Sequence, residues 1–139
     1  MTSCRHVTQS LITTLITTLP YACHISERPP QIIKAFHHQV VIALCKHLRV
    51  PLADVLAQDL SVQRPRNEAW LQAARINRMG IYVIAVELML GNAELARALG
   101  CTRQNVKQAR DDVEDWREAE RKIERAITAV SASVMRAPQ

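Results

Sequence analysis

Aromatic residues make up only 4% of the 139-residue chain, and glycine occurs three times. No stretch alternates strictly between apolar and polar residues. A sandwich or barrel built from short strands and glycine-rich turns is therefore not expected. No apolar run is long enough to cross a bilayer, so no membrane partner is expected. The four cysteines (Cys4, Cys23, Cys45, Cys101) form no Cys-x-x-Cys pair and are irregularly spaced. That fits a reduced cytoplasmic chain with ordinary buried thiols. Apolar residues amount to 48% of the chain, enough for an all-α domain of packed aliphatic helices.

A metal centre finds little support. Cys23, His24, His37, His38, Cys45 and His47 are its candidate ligands. His37 and His38 are adjacent and point to different sides of a helix, and Cys45-x-His47 is too close for one face. Solvated or core histidines explain the pattern better, so no metal, cofactor or catalysis is expected; zinc content would test this.

Three regions follow from the pattern. Residues 1–30 form an N-terminal arm. Within it, Ser10 to Leu19 is a quasi-repeat of leucine, isoleucine and threonine that suits a short docking helix or a partly ordered segment. A signal peptide is the alternative, with Arg5 before it and Tyr21-Ala22-Cys23 after it, but the threonines make it weakly hydrophobic. Residues 31–133 form the helical domain and 134–139 a frayed tail.

Pro29-Pro30 marks a helix boundary. Ile32, Ile33, Phe36, Val40, Val41, Leu44 and Leu48 then predict an amphipathic helix. Pro51 opens a short helix to about Gln58, with Leu52, Val55 and Leu56 facing inward. A basic loop with Arg64-Pro65-Arg66 follows. Glu68 to about Leu90 reads as a long helix packing through Trp70, Leu71, Ala74, Met79, Ile81, Tyr82 and Ala85, ended by Gly91. Gly80 inside it costs about 1 kcal/mol relative to alanine, which points to a close helix crossing or a bend. Asp112 to about Val130 continues as helix through Val113, Trp116, Ile123 and Ile127, with alternating charge outward.

The functional signal lies at residues 92–111. Leu95, Ala96 and Leu99 make one apolar stripe, and Gly100 follows where a left-handed backbone is cheap only without a Cβ. Thr102 then caps a second helix whose buried face is Val106 and Ala109. Arg103, Gln104, Lys107 and Gln108 point outward and are the side chains that bond phosphates and base edges. This is the pattern of a DNA-binding helix-turn-helix. A plain helical hairpin would show the same glycine turn, and charge separates the two. From Arg64 to Arg110 stand eight basic residues (Arg64, Arg66, Arg75, Arg78, Arg97, Arg103, Lys107, Arg110) against three acids (Glu68, Glu87, Glu94), a surplus equal to the chain's formal +5. A phosphate backbone would select that footprint.

From Phe36 to Ile127 the chain resembles the C-terminal DNA-binding domain of the bacterial replication initiator DnaA, known as domain IV, and small stand-alone proteins sharing it. The resemblance rests on Leu48-Arg-Val-Pro-Leu-Ala-Asp-Val-Leu56, the basic loop, Ala74-Arg75 and Tyr82, Glu94-Leu-Ala-Arg-Ala-Leu-Gly100, Val106, Ala109, Val113-Glu-Asp115 and Arg117. It implies a Trp-repressor-like helical fold and binding to double-stranded DNA. The family's turn, roughly Gly-Arg-Asp-His/Arg-Thr-Thr-Val, reads Gly100-Cys-Thr-Arg-Gln-Asn-Val106 here, so the initiator's own target sequence is not implied. The Arg75-to-Tyr82 spacing is also about two residues longer. No Gly-x-x-x-x-Gly-Lys-Ser/Thr loop is present, and the initiator's ATPase goes with it. What remains is similar to a transcription regulator of the gene transfer agent activator type.

On this reading Arg103, Gln104, Lys107 and Gln108 face the bases, Asn105 flanks them, and Thr102 with the helix N-terminus holds a phosphate. The resemblance implies that the Arg64/Arg66 loop reaches the backbone or minor groove. Arg75 and Arg78 are divided between phosphate contact and ordinary helix surface. RNA polymerase or another regulator is a further candidate partner, and the location implied is cytoplasmic, on the nucleoid. Two alternatives stay open: competition with the initiator at a replication origin, and a protein-interaction module that reads no DNA. Oligomeric state and whether the chain is a piece of a larger regulator are not written in it.

Overall fold

The computed structural model describes residues 29–61 and 67–136. The N-terminal arm up to residue 28, Arg64, Arg66 and residues 137–139 lie outside the described residues. All regular structure among the described residues is helical.

Helix α1 (Pro30–Leu48) begins with Pro29 extended at its cap and Pro30 in the first turn, where a missing N–H is no loss. Ile33, Phe36, Val40, Val41 and Leu44 recur at helical spacing and are buried. The helix stops at Arg49, which is left-handed at φ 60°. The Val50 N–H then closes on the Cys45 carbonyl at 2.9 Å.

The short α2 (Leu52–Leu56) buries only Val55. Leu56, expected to face inward, is 57% exposed. A helix of little more than one turn offers one inward position, and the next residue lies about 100° around the axis.

Asn67 caps α3 (Glu68–Glu87) by accepting the Trp70 N–H at 2.8 Å. The Trp70 indole N–H donates to the Asp59 carbonyl at 3.1 Å. The inward row runs through Ala73, Ile76, Met79, Gly80, Val83 and Ile84. Leu71, expected to pack, lies on the opposite side and is 42% exposed. The expected stop at Gly91 is also displaced. The helix ends at Glu87, and Met89 takes the left-handed turn at φ 52°. Gly91 is extended at φ −79° and caps the next helix.

Then come α4 (Asn92–Leu99), α5 (Arg103–Ala119) and α6 (Arg121–Arg136). A single helix was expected through Trp116 and Ile123. Instead Glu120 is extended at φ −128°, ψ 109°, and separates two helices. The break lets Ile123, Ala126, Ile127 and Val130 join the common core, and α6 packs on α1 and α3. It also runs past Ser133, so the expected tail boundary falls inside a helix.

The core gathers where α1 and α3 cross, with α5 and α6 against them and α4 closing one end. Gly80 marks the crossing: a Cβ built there would stand 3.0 Å from His37 Nε2 and 3.1 Å from Val41 Cγ2. This is the close crossing that a glycine inside a helix suggested.

Candidate nucleic-acid interface

Helix α4 ends at Gly100 with φ 73° and ψ 33°. Nothing lies within 4 Å of a Cβ added there, so the backbone sign rather than space calls for glycine. The Cys101 N–H returns to the Ala96 carbonyl at 3.0 Å. Thr102, extended at φ −94°, starts α5, and its hydroxyl accepts the Asn105 N–H at 3.0 Å. The first turn of α5 is thereby fixed from both sides.

Leu95, Ala96 and Ala98 of α4 are buried, as are Val106, Ala109 and Val113 of α5. With those inward, Arg103, Gln104, Asn105, Lys107 and Gln108 are all exposed. Arg103, Gln104 and Lys107 line an open groove whose other wall is Gly91, Asn92 and Ala93. The start of α4 thus faces the start of α5, a proximity that no residue pattern announced.

The cations differ in how they are held. Lys107 Nζ pairs with Asp111 one turn on at 2.8 Å, with both side chains about 60% exposed (61% and 59%). An exposed pair of this kind contributes about 0–1 kcal/mol and separates readily. Arg75 donates to Glu120 at 2.6 Å and lies over the Trp116 ring, 4.5 Å from its centroid. Arg78 donates to Asp112. Both arginines, expected to divide between phosphate contact and free helix surface, tie α3 to α5 and its C-terminal cap. Gln108 Nε2 also donates to Asp112, at 2.9 Å. Asp112 is therefore a junction between a candidate reading residue and α3. The spacing Gln108 to Asp112 was the available signal, since side chains four apart meet on a helix. The partner on α3 had none.

Behind this surface a second polar group joins three helices. The Tyr82 hydroxyl donates to Glu114 and accepts from Arg117 at 2.7 Å, and Arg117 also pairs with Glu124 across the Glu120 break. Burial pushes the Tyr82 hydroxyl pKa up, assisted by Glu114, and Arg117 holds Glu124 below the usual carboxylate range.

The remaining chemistry is quiet. Burial raises the Cys45 and Cys101 thiols above their ordinary value, which disfavours thiolate. A cavity of about 230 Å³ between α1, α2 and α3 is lined by His37, His38, Val41, Val55 and Asn77 among others. His37 Nε2 is buried without a hydrogen-bond partner. No group of three or more metal-ligating side chains occurs among the described residues; Cys23 and His24 lie outside them. No described helix is long and apolar enough to cross a membrane. Comparison of the chain with family models, curated proteins and solved structures gave no match.

Proposed function

We propose that the chain binds double-stranded DNA sequence-specifically through a helix-turn-helix made by α4 and α5, as a bacterial transcription regulator or the DNA-binding part of one. The observation that carries this reading is the exposed row Arg103, Gln104, Lys107 and Gln108 on a helix whose opposite face is locked by Val106, Ala109 and Val113. A major groove accepts a helix of this kind, glutamine suits adenine, and arginine suits guanine or a phosphate. Thr102 and the first turn of α5 supply N–H groups for a phosphate. Asn105 flanks the row. The residue-level resemblance to DnaA domain IV supports the same assignment, with Arg64 and Arg66 as its backbone or minor-groove contacts. An origin-binding role in competition with the initiator uses the same surface and differs in the sequence bound.

Reversing charge with Arg103→Glu and Lys107→Glu tests the placement. Duplex affinity should fall at least about tenfold, with a shallower dependence on salt, because fewer phosphate counterions are released. Unchanged binding by a folded double variant contradicts it.

A second reading is docking of a protein partner such as RNA polymerase or another regulator, for which exposed Val86 (46%), in the last turn of α3, and Met89 (75%), just beyond it, are the candidate contacts. One set of side chains can read DNA while another recruits a partner. If docking were the whole function, the charge reversal would leave activity in cells intact, whereas Met89→Lys would abolish it.

A further inference from the structure

We infer that Asp112, anchored by Arg78, is a positioning residue that presets the Gln108 amide to read an adenine. The inference rests on the DNA reading proposed above and deepens it. A carboxylate only accepts hydrogen bonds, so the atom that Gln108 turns toward Asp112 is its amide nitrogen. That bond measures 2.9 Å and uses one Asp112 oxygen, Oδ1. The other oxygen, Oδ2, takes the Arg78 guanidinium from α3. Asp112 is the more enclosed of that pair, with 21% of its side chain exposed against 41% for Arg78. It is thereby fixed against the body of the domain.

The consequence for Gln108 is directional. With one N–H held by Asp112, the amide keeps its carbonyl oxygen and its second N–H for a ligand. Adenine presents an N6 donor beside an N7 acceptor in the major groove, which is the complement of that pair. Guanine offers two acceptors there and leaves the glutamine oxygen unmatched. An unanchored glutamine flips its amide and orders itself at an entropic cost on binding. The Arg78–Asp112–Gln108 chain biases the amide toward one orientation before DNA arrives, because the Asp112 end is anchored even though Gln108 is exposed. Lys107 has no such anchor, since its partner Asp111 is itself 59% exposed.

The experiment is selection of bound duplexes from a random pool by the full chain, followed by affinities on the selected site and its single-base variants. Gln108→Ala first identifies the base pair that Gln108 reads. Asp112→Asn then keeps shape but presents either an oxygen or a nitrogen, so the adenine preference at that pair should fall at least about fivefold. Overall affinity should hold or rise, because one negative charge is lost and Arg78 is released. Arg78→Gln should relax the same pair while lowering overall affinity. Loss at one position with opposite movements of affinity is not what a merely structural role produces, and thermal unfolding checks that each variant folds. Asp112→Asn adding no loss to Gln108→Ala completes the cycle.

A folded Asp112→Asn whose adenine preference stays intact overturns the inference whatever its overall affinity, as does a base pair read by Gln108 that shows no adenine preference in wild type. So does a wild-type motif that Gln108→Ala alters at no position, and in that case DNA reading by the rest of α5 stands. Absence of any wild-type duplex binding at low salt overturns the DNA reading itself, and the inference with it.

Discussion

His37 of α1 sits against the bare Cα of Gly80 on α3, with its Nε2 3.0 Å from where a Cβ would be. The contact sets how closely the two central helices approach. Val41, 3.1 Å from the same point, closes the other side. Gly80→Ala should gain about 1 kcal/mol of helix propensity. It must also displace a buried ring and a branched side chain, an overpacking penalty of about 1–3 kcal/mol. A net loss of stability is expected, and denaturant unfolding measures it. His37→Ala should relieve part of that loss when combined with Gly80→Ala.

The same burial gives the domain a pH dependence. His37 is held below its ordinary value of 6.5, chiefly because burial penalises the charged ring, with His38 adding to it and the Asn77 backbone opposing it. The unfolded chain therefore takes up the proton first. Stability should be full above about pH 6.5 and fall below it at up to about 1.4 kcal/mol per pH unit. The fall should level off once pH passes below the folded-state value. Glu124 acts in a separate window: its pKa is lowered by Arg117, so its contribution disappears only on acidification below the ordinary 4.5. Urea midpoints between pH 7.5 and pH 5.5, for wild type and His37→Ala, should show the steeper slope in wild type.

Two glycines that look alike in the sequence should respond differently to alanine. Gly100 is left-handed, and a side chain there costs roughly 1–2 kcal/mol of backbone strain. Gly91 is extended with open space around it, so alanine meets no strain there and should cost less than at Gly100, about 0.5 kcal/mol from the N-cap preference for glycine over alanine. Thr102→Ala, which loses the cap on the Asn105 N–H, should cost about 1 kcal/mol. Thermal unfolding of the three variants side by side ranks them.

Arg49 and Met89 adopt positive φ without being glycine. Replacing either by glycine relieves the clash of a Cβ with its own backbone, offset by greater freedom in the unfolded chain. Arg49→Gly should raise stability by about 0.5–1 kcal/mol. An unchanged or lower denaturant midpoint contradicts that reading of the α1 terminus.

Much of the fold was legible because it depends on local chemistry. Helical spacing from Ile33 to Leu44 placed α1, and Gly100 with Thr102 placed the turn before α5. Gly80 announced a close crossing because a glycine inside a helix has a cost that some contact must offset. The misses have physical causes too. Glu120 breaks a helix without glycine or proline; Arg75 pairs with it from α3 and α6 turns back onto the core, contacts between residues far apart that no local pattern encodes. Met89 rather than Gly91 makes the left-handed turn after α3, so the glycine misled. Leu56 and Leu71 looked like core, yet their neighbours Val55 and Ala73 occupy the inward positions. In the candidate site the exposed row on α5 could be read from spacing. That Arg78 reaches Asp112 could not, because the contact joins residues far apart in the chain.

The most direct test of the central claim is selection of bound duplexes from a random pool at physiological salt, with wild type and Gln104→Ala/Lys107→Ala run in parallel. A defined motif for wild type that degrades in the double variant is the result expected of a sequence reader centred on α5. A wild-type pool with no motif, whether binding is absent or steeply salt-dependent backbone attachment, contradicts it.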